Sequence, residues 1–331
     1  MPTGGLHDEG LQNGIEGETL RWLGLQRAAA MNAVPATEIA DARYAGLDRW
    51  ADEDVLAALL DGQRRALDSV QAAIPALALA ANAAADALRS GGRLVYIAAG
   101  SPALLAMTDA LEIPQTYGVA REKIVLVLAG GDALIREFAG GPEDDAEQAR
   151  ADVATTAIGP NDCAICVSAS GTTPYTVGGL RAARAAGAKT VGIAGNAGAP
   201  LLSEADIAVH LDSGPEVISG STRLGAGTAQ KAALNMISTL LGIRLGHVHD
   251  NYMVNVTADN AKLVKRATGI VSRVAGCDAE RAGRAMQAAN NSVKPAILLA
   301  AGARNLPEAE ALLDASGGVV RTALERLSGS T

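Results

Sequence analysis

Aromatic side chains are scarce in this sequence of 331 residues, which contains a single Phe and only 2% Phe, Trp and Tyr together. The core must therefore be built from Ala, Leu, Val and Ile, and Ala-rich helices are expected. Few rings are available for stacking on nucleic-acid bases. The formal net charge of −8 also argues against general binding to nucleic acid or to an anionic membrane, although it permits a local basic pocket.

Cysteines and long apolar runs are also nearly absent. Cys163 and Cys166 fall in an apolar run over 162–167, and residues three apart in a strand face opposite sides, so they make a poor redox or metal pair. No apolar run reaches the length of a membrane span. The first 24 residues contain acidic side chains and no apolar segment, which is unlike a signal peptide. The sequence predicts a cytoplasmic protein.

From residue 93 onward, short apolar runs alternate with helical patterns. This alternation is typical of a parallel sheet covered by helices on both faces, and such sheets bind ligands at the carboxyl ends of their strands. Strands are predicted over 93–98, 123–128, 162–167, 189–194 and 205–211, and helices over 51–90, 103–111, 132–138, 143–157, 174–186 and 226–245. We expect a flexible N-terminal tail over 1–50 with a short helix over 18–31, an α/β domain over 51–267, and a small helical domain over 268–331.

Two polar loops follow predicted strands and open helices. The first, 168–174, reads Ser-Ala-Ser-Gly-Thr-Thr-Pro, and the second, 215–231, contains Glu216, three hydroxyls and Arg223. A helix N-terminus with free N–H groups attracts anions, although Ser and Thr are also ordinary helix caps. Neither loop is a dinucleotide or Walker motif, and no acidic spacing suggests Mg²⁺. A phosphosugar or another small polyol is the first expectation.

Two glutamates lie near these loops in the sequence. Glu143 opens a predicted helix, where an acid stabilises the helix dipole and needs no other explanation. Glu112 falls at the predicted end of the first crossover helix, where an acid is unfavourable. This unfavourable position indicates that Glu112 is present for a reason other than helix stability.

Several stretches resemble the signature motifs of the N-acetylmuramic acid 6-phosphate etherases, a family with a sugar isomerase (SIS) domain. The resemblance is collinear from about Thr37 to near the C-terminus. It rests on 216–224 (EVISGSTRL) with 226–231 (AGTAQK), on Ala169-Ser170-Gly171 with Thr173-Pro174-Tyr175, on Pro114 with 116–119 (TYGV), and on Met253-Val254 with Val256, Asn260, Lys262 and Leu263.

The resemblance implies a fold, a reaction and a set of site residues. The fold would be an SIS-type three-layer α/β domain with a five-stranded parallel sheet, followed by a small helical, UBA-like domain. The protein would be a homodimer whose partner subunits complete each other's sites, and it would cleave the D-lactyl ether of an amino sugar without metal or cofactor. Glu112 would be the acid on the ether oxygen, held neutral by burial, and Glu143 the ionised base at C2. Substrate would be bound by Ser101, Ser168, Ser170, Gly171, Thr172, Thr173, Glu216, Ser219, Ser221, Thr222, Arg223 and Lys231.

The sequence departs from the family pattern around the expected phosphate. The loop 100–104 reads Gly-Ser-Pro-Ala-Leu and lacks the usual arginine, Thr172 stands where the family usually has Arg, and Gly225 where it usually has Lys. Ala40 and Asp41 replace a Ser-Asn pair. Because a phosphate and a lactyl carboxylate need charge-assisted bonds, these losses favour a less anionic ligand.

Three interpretations follow. The chain could be the phosphosugar etherase with compensating contacts, since Arg223 and Lys231 remain. It could perform the same chemistry on an unphosphorylated or otherwise modified sugar ether. It could also be a non-catalytic sugar-sensing regulator, although the two retained acids favour an enzyme.

Overall fold

The computed structural model describes residues 36–258 and 260–329. The predicted helix over 18–31 lies outside the described residues. The helices are α1 (Asp52–Ala72), α2 (Ile74–Arg89), α3 (Gly100–Tyr117), α4 (Ala146–Thr155), α5 (Pro174–Ala185), α6 (Pro200–Ser203), α7 (Gly225–Arg244), α8 (Ala261–Ala275), α9 (Ala279–Ala288), α10 (Val293–Ala301), α11 (Leu306–Asp314) and α12 (Val320–Gly329). The strands are β1 (Leu94–Ala98), β2 (Ile124–Leu128), β3 (Cys163–Val167), β4 (Lys189–Ala194), β5 (Ile207–His210), β6 (Val248–His249) and β7 (Tyr252–Met253).

Strands β1 to β5 form a parallel sheet in the order β2-β1-β3-β4-β5, which confirms the predicted five-stranded sheet. Ala98 at the end of β1 pairs with Leu128 on one side and with Val167 on the other. The strand order reverses between β1 and β3, and a crevice opens outside the strand ends at such a point. The loops that begin with Ala99 and Ser168 therefore leave the sheet side by side.

Both faces of the sheet are covered by helices. Leu94 and Tyr96 of β1 face α1, α2, α3 and α7, whereas Val95 and Ile97 face α4, α5 and α6. Strands buried on both sides explain the continuous apolar runs in the sequence. Helix α2 packs through completely buried alanines, Ala80, Ala81, Ala84 and Ala85, so small side chains replace the missing aromatic residues in the core.

Cys163 and Cys166 belong to the clusters on opposite faces of the sheet, as the strand spacing predicts. Both thiols are free and buried. Burial raises the pKa of Cys163 to about 12, which keeps this thiol protonated and unreactive.

Helices α8 to α12 enclose a separate hydrophobic cluster, which includes Ile270, Met286, Ile297 and Leu313. Helix α8 runs through residue 267, where the sequence places a domain boundary. Residues 36–50, predicted as part of the tail, contain three short 3-10 helices. In the described part of the chain no single helix could span a membrane; α1 and α2 reach that length and apolarity only together, with a bend of 65° between them.

Two helix predictions near the expected acids are wrong. Helix α3 was predicted to end near residue 111 but continues through Pro114 to Tyr117, where Gly118 takes a left-handed conformation with a φ of 63°. Glu112 is thus inside the helix, and the argument from an unfavourable helix end does not apply. Glu143 lies in the 3-10 helix Gly141–Asp144 rather than in α4. The cap of α4 is Asp145, whose carboxylate accepts from the amide of Gln148.

Candidate functional site

The carboxyl end of β1 brings Gly100 against the side chain of Glu143. Gly100 begins α3 with a φ of 62°, a left-handed conformation that favours glycine. A Cβ atom here would lie 2.7 Å from Oε1 of Glu143, so the close approach also requires glycine. Burial, and then the neighbouring Asp144 carboxylate, raise the pKa of the half-buried Glu143. Its carboxylate has no hydrogen bond to any described residue and is available to a bound molecule.

The loop 168–173 lies beside Gly100 and is held by its own hydroxyls. Ser168 Oγ accepts from the amide of Gly171 and lies 2.8 Å from Thr173 Oγ1. Ser170 Oγ accepts from both the amide and the hydroxyl of Thr172. The predicted hydroxyl loop is therefore a preorganised turn. We call Gly100, Ser101, Glu143 and residues 168–173 the loop half-site.

The segment before α1 connects this loop to the loop 215–224. Asn196 donates to the carbonyl of Ser170 at 2.9 Å, and its own oxygen accepts from the amide of Ala36 at 3.4 Å. The amide of Gly220 donates to the carbonyl of Thr37 at 2.8 Å. The sequence analysis missed Asn196 and Thr37. Asn196 could have been found, because it follows β4 at the same edge of the sheet.

Glu216 and Ser219 were predicted to bind substrate, but the structure gives them other contacts. Glu216 is 3% exposed, and its two oxygens accept from the amides of Gly225 and Ala226 at 2.8 and 2.9 Å. The buried Glu216 carboxylate therefore caps the N-terminus of α7. Ser219 donates to the carbonyl of Glu38 at 2.8 Å, which fixes the loop to the N-terminal segment.

Other predicted binding residues remain accessible. Arg223 is exposed, and Ser101, Ser221 and Thr222 are partly exposed. None of these four side chains has a hydrogen bond or ion pair within the described residues. The loop 215–224 thus offers one guanidinium and two hydroxyls to a ligand.

Glu112 and Lys231 lie elsewhere, where α3 packs against α7. The Lys231 Nζ atom is 3.7 Å from Glu112 Oε2. Glu112 also lines a cavity of about 150 Å³, together with Asp109, Thr116, Asn235 and Ser238. We call this region, centred on Glu112 and Lys231, the helix half-site.

Asp109 supports the helix half-site and was missed by the sequence analysis. Its buried carboxylate accepts from Tyr96, Asn235 and Ser238 at 2.7 to 3.0 Å, and burial raises the pKa of Asp109. This network ties α3 to α7 and to the sheet. Asp109 precedes Glu112 by three residues and so lies on the same face of α3. This spacing could have identified Asp109 as a neighbour of Glu112 from the sequence.

The two predicted catalytic acids are far apart in one chain. Glu143 contacts Gly100 at the start of α3, whereas Glu112 lies twelve residues further along the same helix. At the rise of an α-helix this places Glu112 about 18 Å from Gly100. A glutamate side chain cannot close that distance. In addition, the Glu112 side chain is 61% exposed in the single chain, so the burial expected for this acid is not provided by its own chain.

Metal binding was not predicted, and the described residues contain no group of three His, Cys, Asp or Glu side chains that could hold a metal ion. The site consists of carboxylates, hydroxyls, backbone groups and a few cations. Such an arrangement can bind a polar, anionic small molecule and transfer protons to or from it.

Comparison with known proteins identifies the family. Residues 143–240 match the model of the SIS domain. The chain is 47% identical over 288 residues to the N-acetylmuramic acid 6-phosphate etherase of Deinococcus radiodurans, which covers 87% of this chain and 94% of that protein. It is 41% identical over 295 residues to that of Burkholderia lata, covering 89% and 97%, and 39% identical over 288 residues to that of Mycolicibacterium smegmatis, covering 87% and 97%. The chain belongs to the N-acetylmuramic acid 6-phosphate etherase family.

Proposed function

We propose that this protein is a carbon–oxygen lyase that cleaves the D-lactyl ether of N-acetylmuramic acid 6-phosphate, giving N-acetylglucosamine 6-phosphate and D-lactate. The observation that carries the proposal is the Glu143 carboxylate, held over Gly100 beside a preorganised hydroxyl loop. A half-buried carboxylate with a raised pKa is a stronger base than an ordinary glutamate once it is ionised.

The reaction needs one base, one acid and water. With the sugar ring open, the C1 aldehyde makes the C2 proton acidic, and Glu143 removes it. The C3–O bond then breaks, a C2=C3 double bond forms, and the lactate oxygen leaves with the electron pair and takes a proton from Glu112. Water then gives a proton to Glu112 as its oxygen adds to C3, and Glu143 returns its proton to C2. Each glutamate would contribute about 10²- to 10⁴-fold to the rate.

The distance between the two acids supports a site shared by two copies of the chain. Because Glu112 lies about 18 Å along α3 from the position of Glu143, a second copy would supply Glu112 to the loop half-site of the first. A two-fold axis would create two equivalent sites of this kind. The partners would be an amino sugar and a second copy of this chain.

An exposed apolar surface on α2, α3 and α7 supports this association. Ile74, Met236 and Ile243 line one groove and are between 40% and 48% exposed, and Leu111, next to Glu112 on α3, is 51% exposed; exposed apolar patches of this kind mark interaction surfaces. A groove of about 370 Å³ lies among the side chains of α2 and α7. Burying this surface against a second copy would place helix α3, with Glu112, inside the interface.

An unphosphorylated sugar ether is the second candidate substrate. Gly225 replaces a usual lysine, and a Cβ atom there would lie 3.0 Å from Oε2 of Glu216 and 3.4 Å from Ala66. The packing at the start of α7 therefore leaves little room for the missing cation. Arg223 would be the main charged contact for a phosphate.

A lactate-release assay on N-acetylmuramic acid 6-phosphate and on N-acetylmuramic acid, run side by side, tests both candidates. Release from the phosphorylated sugar with a higher kcat/KM supports the proposal. Preference for the unphosphorylated sugar supports the second candidate. Binding of either sugar without lactate release, measured by thermal shift, would replace both with a sugar-sensing role.

A further inference from the structure

A further glutamate, Glu38, lies against the loop 215–224, on the segment that precedes α1. A Cβ atom added to Gly220 would lie 2.8 Å from Oε2 of Glu38. Gly220 has a φ of 76°, so both its conformation and this close approach require glycine. The contact repeats the one between Gly100 and Glu143, in which a glycine with a positive φ also admits a carboxylate. Two carboxylates are thus held against glycines around the expected substrate.

The backbone of Glu38 is fixed, whereas its side chain is free. The Glu38 carbonyl accepts from Ser219 Oγ at 2.8 Å, and the preceding carbonyl, of Thr37, accepts from the amide of Gly220 at 2.8 Å. Thr37 is buried, so the segment is packed against the loop. The Glu38 carboxylate is exposed and has no hydrogen bond or ion pair with another described residue. A fixed backbone therefore presents an unpaired carboxylate.

Glu38 can supply the acceptor that the sequence suggested for Glu216. The Glu216 carboxylate turns inward and accepts from two amides of α7, so it is not presented to a ligand. Ser221, Thr222 and Arg223 of the same loop are accessible and offer mainly hydrogen-bond donors. The Glu38 carboxylate is an acceptor beside these donors, and a sugar has both kinds of group.

Glu38 also lies close to the loop half-site. The Asn196 side chain bridges the carbonyl of Ser170 and the amide of Ala36, and Ala36 is two residues before Glu38. Two residues of chain span at most about 7 Å. A ligand that contacts the loop 168–173 can therefore also contact Glu38.

A carboxylate accepts hydrogen bonds and repels anions, which limits the part of a substrate that it can bind. On N-acetylmuramic acid 6-phosphate the anionic groups are the lactyl carboxylate, attached through C3, and the phosphate on C6. C4 and C5 lie between these two groups, whereas C1 and C2 lie on the side of C3 away from the phosphate. In the ring-open form that reacts, C1 is an aldehyde and has no proton to donate. The donor that remains on this side is the N–H of the C2 acetamido group.

We propose that the Glu38 carboxylate accepts a hydrogen bond from the N–H of the C2 acetamido group, and that Glu38 thereby selects 2-acetamido sugars. The inference rests on the proposed function. Glu143 removes the proton from the same carbon atom that carries this nitrogen. Holding the nitrogen therefore also orients C2 towards the base.

The test compares two phosphosugars that differ at C2. N-acetylglucosamine 6-phosphate has the acetamido group, whereas 2-deoxyglucose 6-phosphate has no donor at C2. Both are titrated by calorimetry into the full-length protein. The wild type should prefer the first sugar, and Glu38→Ala should reduce that preference about 10- to 100-fold. Because removal of a negative charge favours both phosphosugars, the ratio of the two affinities is the quantity that reports the hydrogen bond.

Two further variants separate the hydrogen bond from the charge. Glu38→Gln keeps an acceptor oxygen without the charge and should retain part of the preference. Asp48→Ala removes an exposed acid elsewhere in the segment before α1 and should leave the ratio unchanged. Thermal unfolding checks that the variants fold, which is expected because Ser219 bonds to the backbone of Glu38 and not to its side chain.

An unchanged ratio in Glu38→Ala, or an equal loss of affinity for both sugars, would overturn the role of Glu38. A wild type without any preference would overturn it too. If Glu38→Ala does not fold, Glu38→Gln decides, and a full preference in that variant contradicts the proposal. Absence of lactate release by the wild type would refute the proposed function, whereas the titrations test Glu38 separately, since neither sugar carries the lactyl ether.

Discussion

The loop half-site and the helix half-site hold their polar groups in different ways. In the first, turns that follow β1 and β3 present hydroxyls and backbone groups, and the acid Glu143 is half-buried with no cation bonded to it. In the second, helices α3 and α7 present Glu112 at 3.7 Å from Lys231. The acid of the helix half-site therefore has a cationic neighbour, and the acid of the loop half-site has none among the described residues.

This difference gives a physical meaning to the departures from the family pattern. Thr172 and Gly225 remove positive charge from the loops, but Lys231 on α7 remains. A substrate with a phosphate and a lactyl carboxylate has two anionic ends, and the losses lie in the loops that are expected to bind the phosphate. We expect the phosphate end to depend on Arg223, hydroxyls and helix N-termini.

The largest expected effect tests whether Glu143 of one chain and Glu112 of a second chain act on the same substrate molecule. Glu112→Gln and Glu143→Gln should each lower kcat about 10²- to 10⁴-fold, because each removes one proton transfer. If equal amounts of the two variants are unfolded together and refolded, half of the dimers are mixed, and each mixed dimer has one intact site. The mixture should regain about a quarter of the wild-type rate.

Each variant refolded alone is the control and should keep its lowered rate, about 10²- to 10⁴-fold below wild type. A mixture as inactive as its parents would show that both half-sites must belong to one chain. Lactate release measures all three samples.

The next effect concerns the contact that defines the loop half-site. Gly100→Ala would place a Cβ atom 2.7 Å from Glu143 Oε1 and displace the carboxylate, which should lower kcat by up to about 100-fold. Gly131→Ala is the matched control, since Gly131 also has a positive φ, 52°, but an added Cβ meets nothing within 4 Å. Both variants should lose about 1–2 kcal/mol of stability from backbone strain. Equal kcat values would contradict the contact.

The sheet could be predicted from the sequence because its signal is local. Every strand of the parallel sheet was placed within two residues of its observed limits, since buried runs such as 163–167 are continuous and end in turns. The limits of α3 were less predictable. The helix was predicted to end near residue 111, yet it continues through Pro114 and stops at Gly118.

Contacts between residues distant in sequence could not be predicted for the site. Glu216 carries the chemistry of a ligand-binding acid, and nothing local shows that it turns inward to cap α7. Asp109 is similar, because its partners Asn235 and Ser238 lie on another helix. The separation of Glu112 from Glu143 also required the full course of α3.

A smaller effect distinguishes the residue that stabilises the loop 215–224 from the residue that binds substrate there. Glu216→Ala should destabilise the protein by about 1–3 kcal/mol, because it leaves the buried amides of Gly225 and Ala226 without their acceptor. Arg223→Ala should leave stability nearly unchanged and raise KM, since the exposed guanidinium has no partner among the described residues. Denaturant unfolding and steady-state kinetics measure the two effects. Glu216→Ala with normal stability would restore Glu216 as a candidate ligand.

The smallest expected effect is on the pH dependence of kcat/KM, which the ionisation of Glu143 in the loop half-site should set. A base must be ionised, so kcat/KM should rise with pH through the raised pKa of Glu143, which lies above its ordinary 4.5. The same shift means that the stability contributed by Glu143 is present below pH 4.5 and is lost as pH rises through the raised pKa. Asp144→Asn removes the second cause of the shift and should move the acid limb of kcat/KM part of the way down. Asp132→Asn, an exposed acid in the preceding turn, should leave the limb in place. If Asp144→Asn does not move the limb, the ionisation that controls the rise of kcat/KM with pH is not that of Glu143, and the assignment of Glu143 as the base is wrong.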